Sequence, residues 1–262
     1  MNKRIKVGIV LEGGGAKGAY QVGVLKALKE LNINYDCVVG SSIGALNATL
    51  YVTGDYAEGI KLWKNINFSI ENNRKSSINN SSNFFQDLQN NINEFEKNYM
   101  NSNGKDPEPV IQYFKEIIDE KAIRSSLIEF GLTTFCLTDR KKLRLYKEDI
   151  PLGMLHEFVF ASCCLPVFKP RSINGKIYLD GSVFSRLPIE MAVDKGCNVI
   201  ISVRLRPEEY NYNNFKDIKI IDIAPDEFLS STLEASQERI LWMINKGYED
   251  AMKILTNPVH PI

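Results

Sequence analysis

The stretch from Val7 to Leu28, VGIVLEGGGAKGAYQVGVLKAL, constrains the chain more than any other. It opens as an apolar run, bends through GGGAKG, and continues with Val22, Leu25, Leu28 and Leu31 on one helical stripe. An apolar run without alternation needs cover on both faces. With a helix following at once, it predicts the first strand and crossover helix of a parallel sheet. The glycine turn aims backbone N–H groups into the space beyond the strand end. A phosphate is favoured there, or an oxygen that becomes negative only during a reaction.

The same alternation recurs down the chain. DCVV (36–39) is followed by a helix from near Ile43, IEMAVDKG by the buried run NVIISVRL, and IKIIDIAP by the long amphipathic helix EASQERILWMINKGYEDAMKIL. EPVIQYFKEIIDEKAI reads as one helix, Asn174-Gly175 as a hairpin turn, and the basic run DRKKLRLYK as a solvated hairpin that could meet anionic lipid. The expected fold is a three-layer α/β/α domain with a mostly parallel central sheet, spanning residues 1–262 as a single unit. One polar Asn/Ser-rich insertion interrupts it at about 65–106, where Phe84, Phe85, Leu88, Ile92, Phe95 and Tyr99 fall at helical spacing. Two readings stand: a helix whose stripe packs on the domain, or a lid that covers a site or meets lipid.

Composition removes several function classes. Lys+Arg and Asp+Glu are both 32, so no net charge draws the protein to nucleic acid. The five cysteines and two histidines lack metal-ligand spacing, which argues against a zinc site or a disulfide framework. The longest apolar stretch, Phe158 to Phe168, is too short to span a bilayer, and the N-terminal run lacks a cleavage pattern. A cytoplasmic protein is expected, with peripheral contact at membranes left open and the oligomeric state undetermined.

Gly40-Ser41-Ser42-Ile43-Gly44 is a G-x-S-x-G sequence directly after a strand and before a helix. A nucleophile elbow needs that context: a sharp turn, small flanking residues and a serine projecting from the bend. Gly13, Gly15 and Gly18 also fit G-x-G-x-x-G, the dinucleotide fingerprint, but that motif needs an acidic residue at the end of the second strand. Here the second strand ends in Gly40-Ser41-Ser42, with Asp36 before it and Glu30 in the preceding helix. Both turns lie at C-terminal strand ends and share a crevice. N–H groups of Gly14 and Gly15 can then face an oxygen on the carbon that Ser42 attacks, which is oxyanion-hole geometry.

A serine needs a base. His260 lies in the terminal tail and His156 at the start of a helix, neither well placed. Asp180, closing the strand Ile177-Tyr178-Leu179 at Gly181, is the better candidate, although Asp-Gly is also a common hairpin turn. Its carboxylate is a weak base in water, and a dry cleft strengthens it.

These residues, GGGAKG at Gly13–Gly18, GSSIG at Gly40–Gly44 and Asp180-Gly181 in that order, resemble the patatin-like phospholipases, as do EFVFASCCLPVFKP and DGSVFSRLPIEMAVDKGCNVIISV. The resemblance implies Ser42 as nucleophile and Asp180 as base. It further implies an oxyanion hole from Gly13, Gly14 and Gly15 with Ile43, and hydrolysis of lipid acyl esters, of phospholipid or lysophospholipid, without metal or cofactor. Two departures stand out. Ser182 follows Gly181 where the family has Gly or Ala, and Ser185-Arg186 precede Leu187-Pro188 where an Asn is common. Lys17 falls where the family has Lys or Arg, and is either a headgroup contact or a helix-surface lysine. The rival readings are a nucleotide-binding protein and a catalytically weak lipid-binding module.

Overall fold

The computed structural model describes residues 4–65 and 90–257. Its centre is one sheet in which β1 (Val7–Leu11), β2 (Cys37–Ser41), β3 (Glu129–Cys136), β7 (Val199–Val203) and β8 (Lys219–Ile223) run parallel, in the order β3-β2-β1-β7-β8. Three antiparallel strands extend it beyond β3: β4 (Lys141–Tyr146), β5 (Ser172–Ile173) and β6 (Lys176–Asp180).

Side chains of β1 alternate between two cores. Ile9 and Leu11 pack with α1 (Ala19–Glu30), α2 (Ile43–Thr53) and α9 (Gln237–Leu255), a layer that also holds Trp63 of α3 (Tyr56–Asn65). Val10 faces the other way, toward Leu187, Ile189, Met191 and Ala192 in and beside α8 (Ile189–Asp194). Burial on both faces is why the sequence of this strand shows no alternation. The second layer is thin, with α8 six residues long and the chain around Tyr212 and Phe215 completing the cover.

The insertion contributes α4 (Ile92–Met100), started by Asn91, whose side chain accepts from the Glu94 N–H. Phe95 and Tyr99 pack with Phe135, Leu137, Leu179 and Val183, along the strand that ends in Asp180. Phe84, Phe85 and Leu88 lie outside the described residues. The stretch read as one helix at 108–123 is two, α5 (Glu108–Ile117) and α6 (Glu120–Ser125). Ile118 is extended, and Asp119 caps the second by accepting from the Ala122 N–H. The helix α7 (Leu155–Ser162) then packs against β3 and β6.

One topological detail positions the site. β3 residues 131–136 pair with β4 along one edge, so β2 and β6 must share the other. β2 occupies it up to Thr133, opposite Ser41, and β6 enters from the far side at Thr134, opposite Asp180. Adjacent residues of one strand thereby bring the ends of two distant strands together.

Candidate active site

The elbow forms at the end of β2. Ser42 adopts φ 54° and ψ −129°, between the last residue of β2 and the first of α2. A non-glycine residue there is strained, and surrounding structure must hold it. Two glycines permit the bend: a Cβ on Gly40 would lie 2.3 Å from Gly44 backbone, and one on Gly44 would lie 2.4 Å from the Leu11 carbonyl oxygen. The Ser42 N–H donates to Ser162 Oγ at 2.9 Å, a contact from α7 that the sequence does not signal.

Asp180 arrives from the opposite direction. Ser42 Oγ donates to its Oδ2 at 2.5 Å, while its Oδ1 accepts from the Ser182 N–H at 2.8 Å. The carboxyl is almost fully buried, and burial pushes it up to about 6 against the opposing pull of the hydrogen bonds from Ser42 and Ser182. Asp180-Gly181 is not a hairpin turn, since Gly181–Val183 form a 3-10 turn; the hairpin lies at Asn174-Gly175, with φ 50° and 77°. The Ser182 hydroxyl lies 3.2 Å from that of Ser41, so the family departure becomes a tie between the Asp180 loop and the end of β2.

The glycine loop lies against the serine: a Cβ on Gly13 would be 3.1 Å from the Ser42 Cβ. It does not offer every amide. Gly13 N–H donates to the Arg186 carbonyl at 2.9 Å and Ala16 N–H to the Thr232 carbonyl at 2.9 Å. The expectation that Gly13 supplies an oxyanion donor is therefore corrected, because its hydrogen is already engaged. Among the described residues, the N–H groups of Gly14, Gly15 and Ile43 meet no protein acceptor. Gly15 sits at φ 59°, with the Thr232 oxygen 2.0 Å from where a Cβ would stand. Behind the loop, Arg206 Nη1 donates to the Gly13 carbonyl at 3.1 Å and pairs with Glu12.

Lys17 is neither solvent-facing nor in a regular helix. It lies in a 3-10 turn over Gly15–Gly18, is buried, and donates through Nζ to Thr232 Oγ1 at 3.1 Å. Burial lowers its ammonium to about 8, Arg206 adding to the effect and Glu12 opposing it. The Gly18 carbonyl accepts from Asn47 Nδ2 at 2.8 Å, joining the loop to α2.

The remaining sequence candidates fall elsewhere. His156, on α7, is pulled down by burial and has Glu157, Lys115, Glu120 and Arg171 as its charged neighbours; His260 lies outside the described residues. Asp36 accepts from the Val7 N–H at 2.9 Å, at the end of the sheet opposite the glycine loop, where no ribose at that loop could reach it. Among the described residues no helix is long and apolar enough to cross a membrane.

Comparison with known proteins bears on this geometry. The family model described as Patatin-like phospholipase matches residues 9–193, which include both turns and Asp180. The patatin-like phospholipase domain-containing protein ZK370.4 of Caenorhabditis elegans is 27% identical over 218 residues, covering 80% of this chain and 14% of the nematode protein. Lysophospholipase nte1 of Aspergillus terreus is 60% identical over 45 residues, 17% of this chain and 3% of its own length. The chain thus spans only a small part of these relatives. The probable lipid hydrolase 463L of Invertebrate iridescent virus 6 is 24% identical over 271 residues, with 94% of this chain and 88% of the viral protein covered. Among solved structures, VipD from Legionella pneumophila superposes with a TM-score of 0.54 at 17% identity, over 96% of this chain and 67% of that one, a likeness of fold.

Proposed function

This chain belongs to the patatin-like phospholipase family, and from that premise we propose that it hydrolyses acyl esters of lipids through a Ser42–Asp180 dyad. The observation that carries the reading is the 2.5 Å hydrogen bond from Ser42 Oγ to the buried Asp180 carboxylate, made by a serine held at an elbow. A carboxylate raised toward 6 is a better base than one in water, and still mostly ionised at neutral pH.

Ser42 Oγ attacks the ester carbonyl carbon as its proton passes to Asp180 Oδ2. The carbonyl π pair moves onto oxygen, where the N–H groups of Gly14, Gly15 and Ile43 receive it. Collapse of that intermediate expels the alcohol oxygen, which takes the proton from Asp180 and leaves Ser42 acylated. Water then attacks the acyl-enzyme, giving its proton to Asp180; collapse returns that proton to Ser42 Oγ and releases the fatty acid. Each well-aimed donor is worth about 3 kcal/mol of barrier in such sites, so the loop carries as much of the rate as the base does.

The nucleotide reading loses support from the same geometry. Two of the loop amides that would hold a phosphate donate to protein carbonyls, and no acid closes β2. The substrate we propose is a phospholipid or lysophospholipid, met at a membrane surface by a protein that binds it peripherally. The test is release of fatty acid from phosphatidylcholine, lysophosphatidylcholine and monoacylglycerol in mixed micelles. Fatty-acid release from phosphatidylcholine or lysophosphatidylcholine is expected. Release from monoacylglycerol alone would refute the substrate class, and no release from any, by folded protein, would refute the hydrolase proposal.

A further inference from the structure

A loop of three successive glycines has little of its own to fix the direction of its peptide planes. Whether the Gly14 N–H faces the crevice depends on what holds the Gly13–Gly14 peptide. That peptide's oxygen accepts from Arg206 Nη1 at 3.1 Å, and the same nitrogen pairs with Glu12 Oε1. Glu12 is itself seated: its side chain is 8% exposed, and its Oε2 accepts from the Leu205 N–H at 2.6 Å. In a trans peptide, C=O and N–H point in opposite directions, and no cis bond occurs among the described residues. Anchoring the Gly13 oxygen on Arg206 therefore fixes the Gly14 N–H on the opposite side.

We propose that Arg206, held by Glu12, is a positioning residue that locks the Gly13–Gly14 peptide with its N–H toward the oxyanion formed at Ser42. The inference rests on the hydrolase reading above and goes beyond it, to a group that touches no substrate atom.

Two other roles for Arg206 fit less well. As a direct electrostatic stabiliser it is offset by the Glu12 carboxylate on the same nitrogen, so little net charge reaches the crevice. As an anchor for its own loop it is redundant. Arg204 already grips Asp222 through Nε and Nη2 at 2.8–3.0 Å and donates through Nη1 to the carbonyls of Arg206 and Glu208. What remains distinctive is the single donor shared between a seated carboxylate and the Gly13 oxygen.

The experiment compares wild type, Arg206→Gln and Arg206→Lys on p-nitrophenyl butyrate, a neutral ester without phosphate, so that loss of a headgroup contact does not register. Each variant is also titrated with an alkyl trifluoromethyl ketone, whose adduct with the serine places an oxyanion in the hole. Arg206→Gln is expected to lower kcat about 10- to 100-fold with KM within about threefold, because a misaimed donor costs less than the hundredfold or more of a deleted one. The ketone's Ki should rise by the same factor, and Arg206→Lys, which keeps the donors, should recover most of the loss.

A kcat within twofold of wild type in folded Arg206→Gln overturns the proposal. So does a loss confined to KM, or a fallen kcat with an unchanged ketone Ki. If the glutamine variant does not fold, Arg206→Met, which removes the donors at similar length, takes its place and is read by the same criteria. Failure of wild type to turn over any ester defeats the hydrolase reading and this inference together. Normal wild-type turnover with indifferent variants defeats this one only.

Discussion

The two turns that flank the crevice are built in different ways. The elbow is closed mainly by its own neighbours: Gly40 and Gly44 meet across the bend, and the Ser42 carbonyl accepts from the Ala45 N–H at 2.8 Å. The glycine loop is closed by segments more than 170 residues away, through the Arg186 carbonyl, the Thr232 carbonyl and the Arg206 guanidinium. The difference teaches where each half of the chemistry is vulnerable. The bend at Ser42 is drawn mainly from β2 and α2, with Ser162 of α7 holding its N–H, whereas the proposed oxyanion donors are aimed only when the whole sheet and both later loops are in place.

The largest effect belongs to the elbow's one reactive atom. Ser42→Ala should reduce ester turnover by about 10⁴-fold or more while leaving the melting temperature almost unchanged, since the methyl fits wherever the serine Cβ does. Thermal melts and steady-state assays on the same preparation check both halves. A stable variant with residual turnover near wild type would break the comparison at its strongest point.

Asp180→Asn comes next and should separate activity from stability. A loss of about 10³-fold in kcat is expected, because the amide cannot take the serine proton. Stability should move the other way. The folded-state value near 6 lies above the ordinary carboxylate value, so the native protein binds the proton more tightly than the unfolded chain does. That contribution is fully present below about pH 4 and lost as pH rises through 6. At pH 7 the ionised group then costs up to about 3 kcal/mol, which asparagine avoids. The variant should melt higher than wild type at pH 7 and lose that advantage near pH 4. For wild type the same titration makes kcat/KM fall as pH drops below about 6.

Third in size is a pair of glycine substitutions. Gly44→Ala drives a Cβ into the Leu11 carbonyl, and overpacking of that kind costs about 1–3 kcal/mol. Stability and activity should fall together. Gly15→Ala meets a carbonyl belonging to a distant loop, so that loop is expected to shift and activity to fall further than denaturant stability does. Equal ratios of activity loss to stability loss in the two variants would erase the proposed distinction. The smallest effect is Ser182→Gly, which restores the family's usual residue and removes a hydroxyl that meets Ser41 and also hydrogen-bonds the Asp180 carboxyl. A change of about 0.5–1.5 kcal/mol in urea titration and kcat within about threefold are expected.

The contrast also explains what was legible in the sequence. Strand, bend, serine and helix are contiguous at the elbow, so Ser42 could be read directly, and Asp180 stood out where an alternating strand stopped. The pairing that joins them was not legible. Nothing local to β3 says that Thr133 ends one partner and Thr134 begins another on the same edge. Nor could Gly13 be excluded as a donor, because its acceptor lies at Arg186. Lys17 was misplaced for a physical reason: the turn over Gly15–Gly18 is a 3-10 turn, so the 3.6-residue period that sorts buried from exposed does not apply there. The Asp119 cap was visible as a residue, yet the apolar spacing on either side carried the helix across it. A glutamate following β1 and an arginine following its neighbour β7 were the only signal for the Glu12–Arg206 clamp, and it becomes readable once the strand order is known.

The central claim is that the hydroxyl at the elbow is the nucleophile, activated by the buried carboxylate beside it. Its most direct test is reaction with a fluorophosphonate, followed by peptide mapping in a mass spectrometer. Stoichiometric loss of activity with one phosphonyl group on Ser42, slowed severely in Asp180→Asn, is the expected result. Complete inactivation with the group on any other residue, or an unmodified Ser42 in a fully inhibited enzyme, would contradict the account.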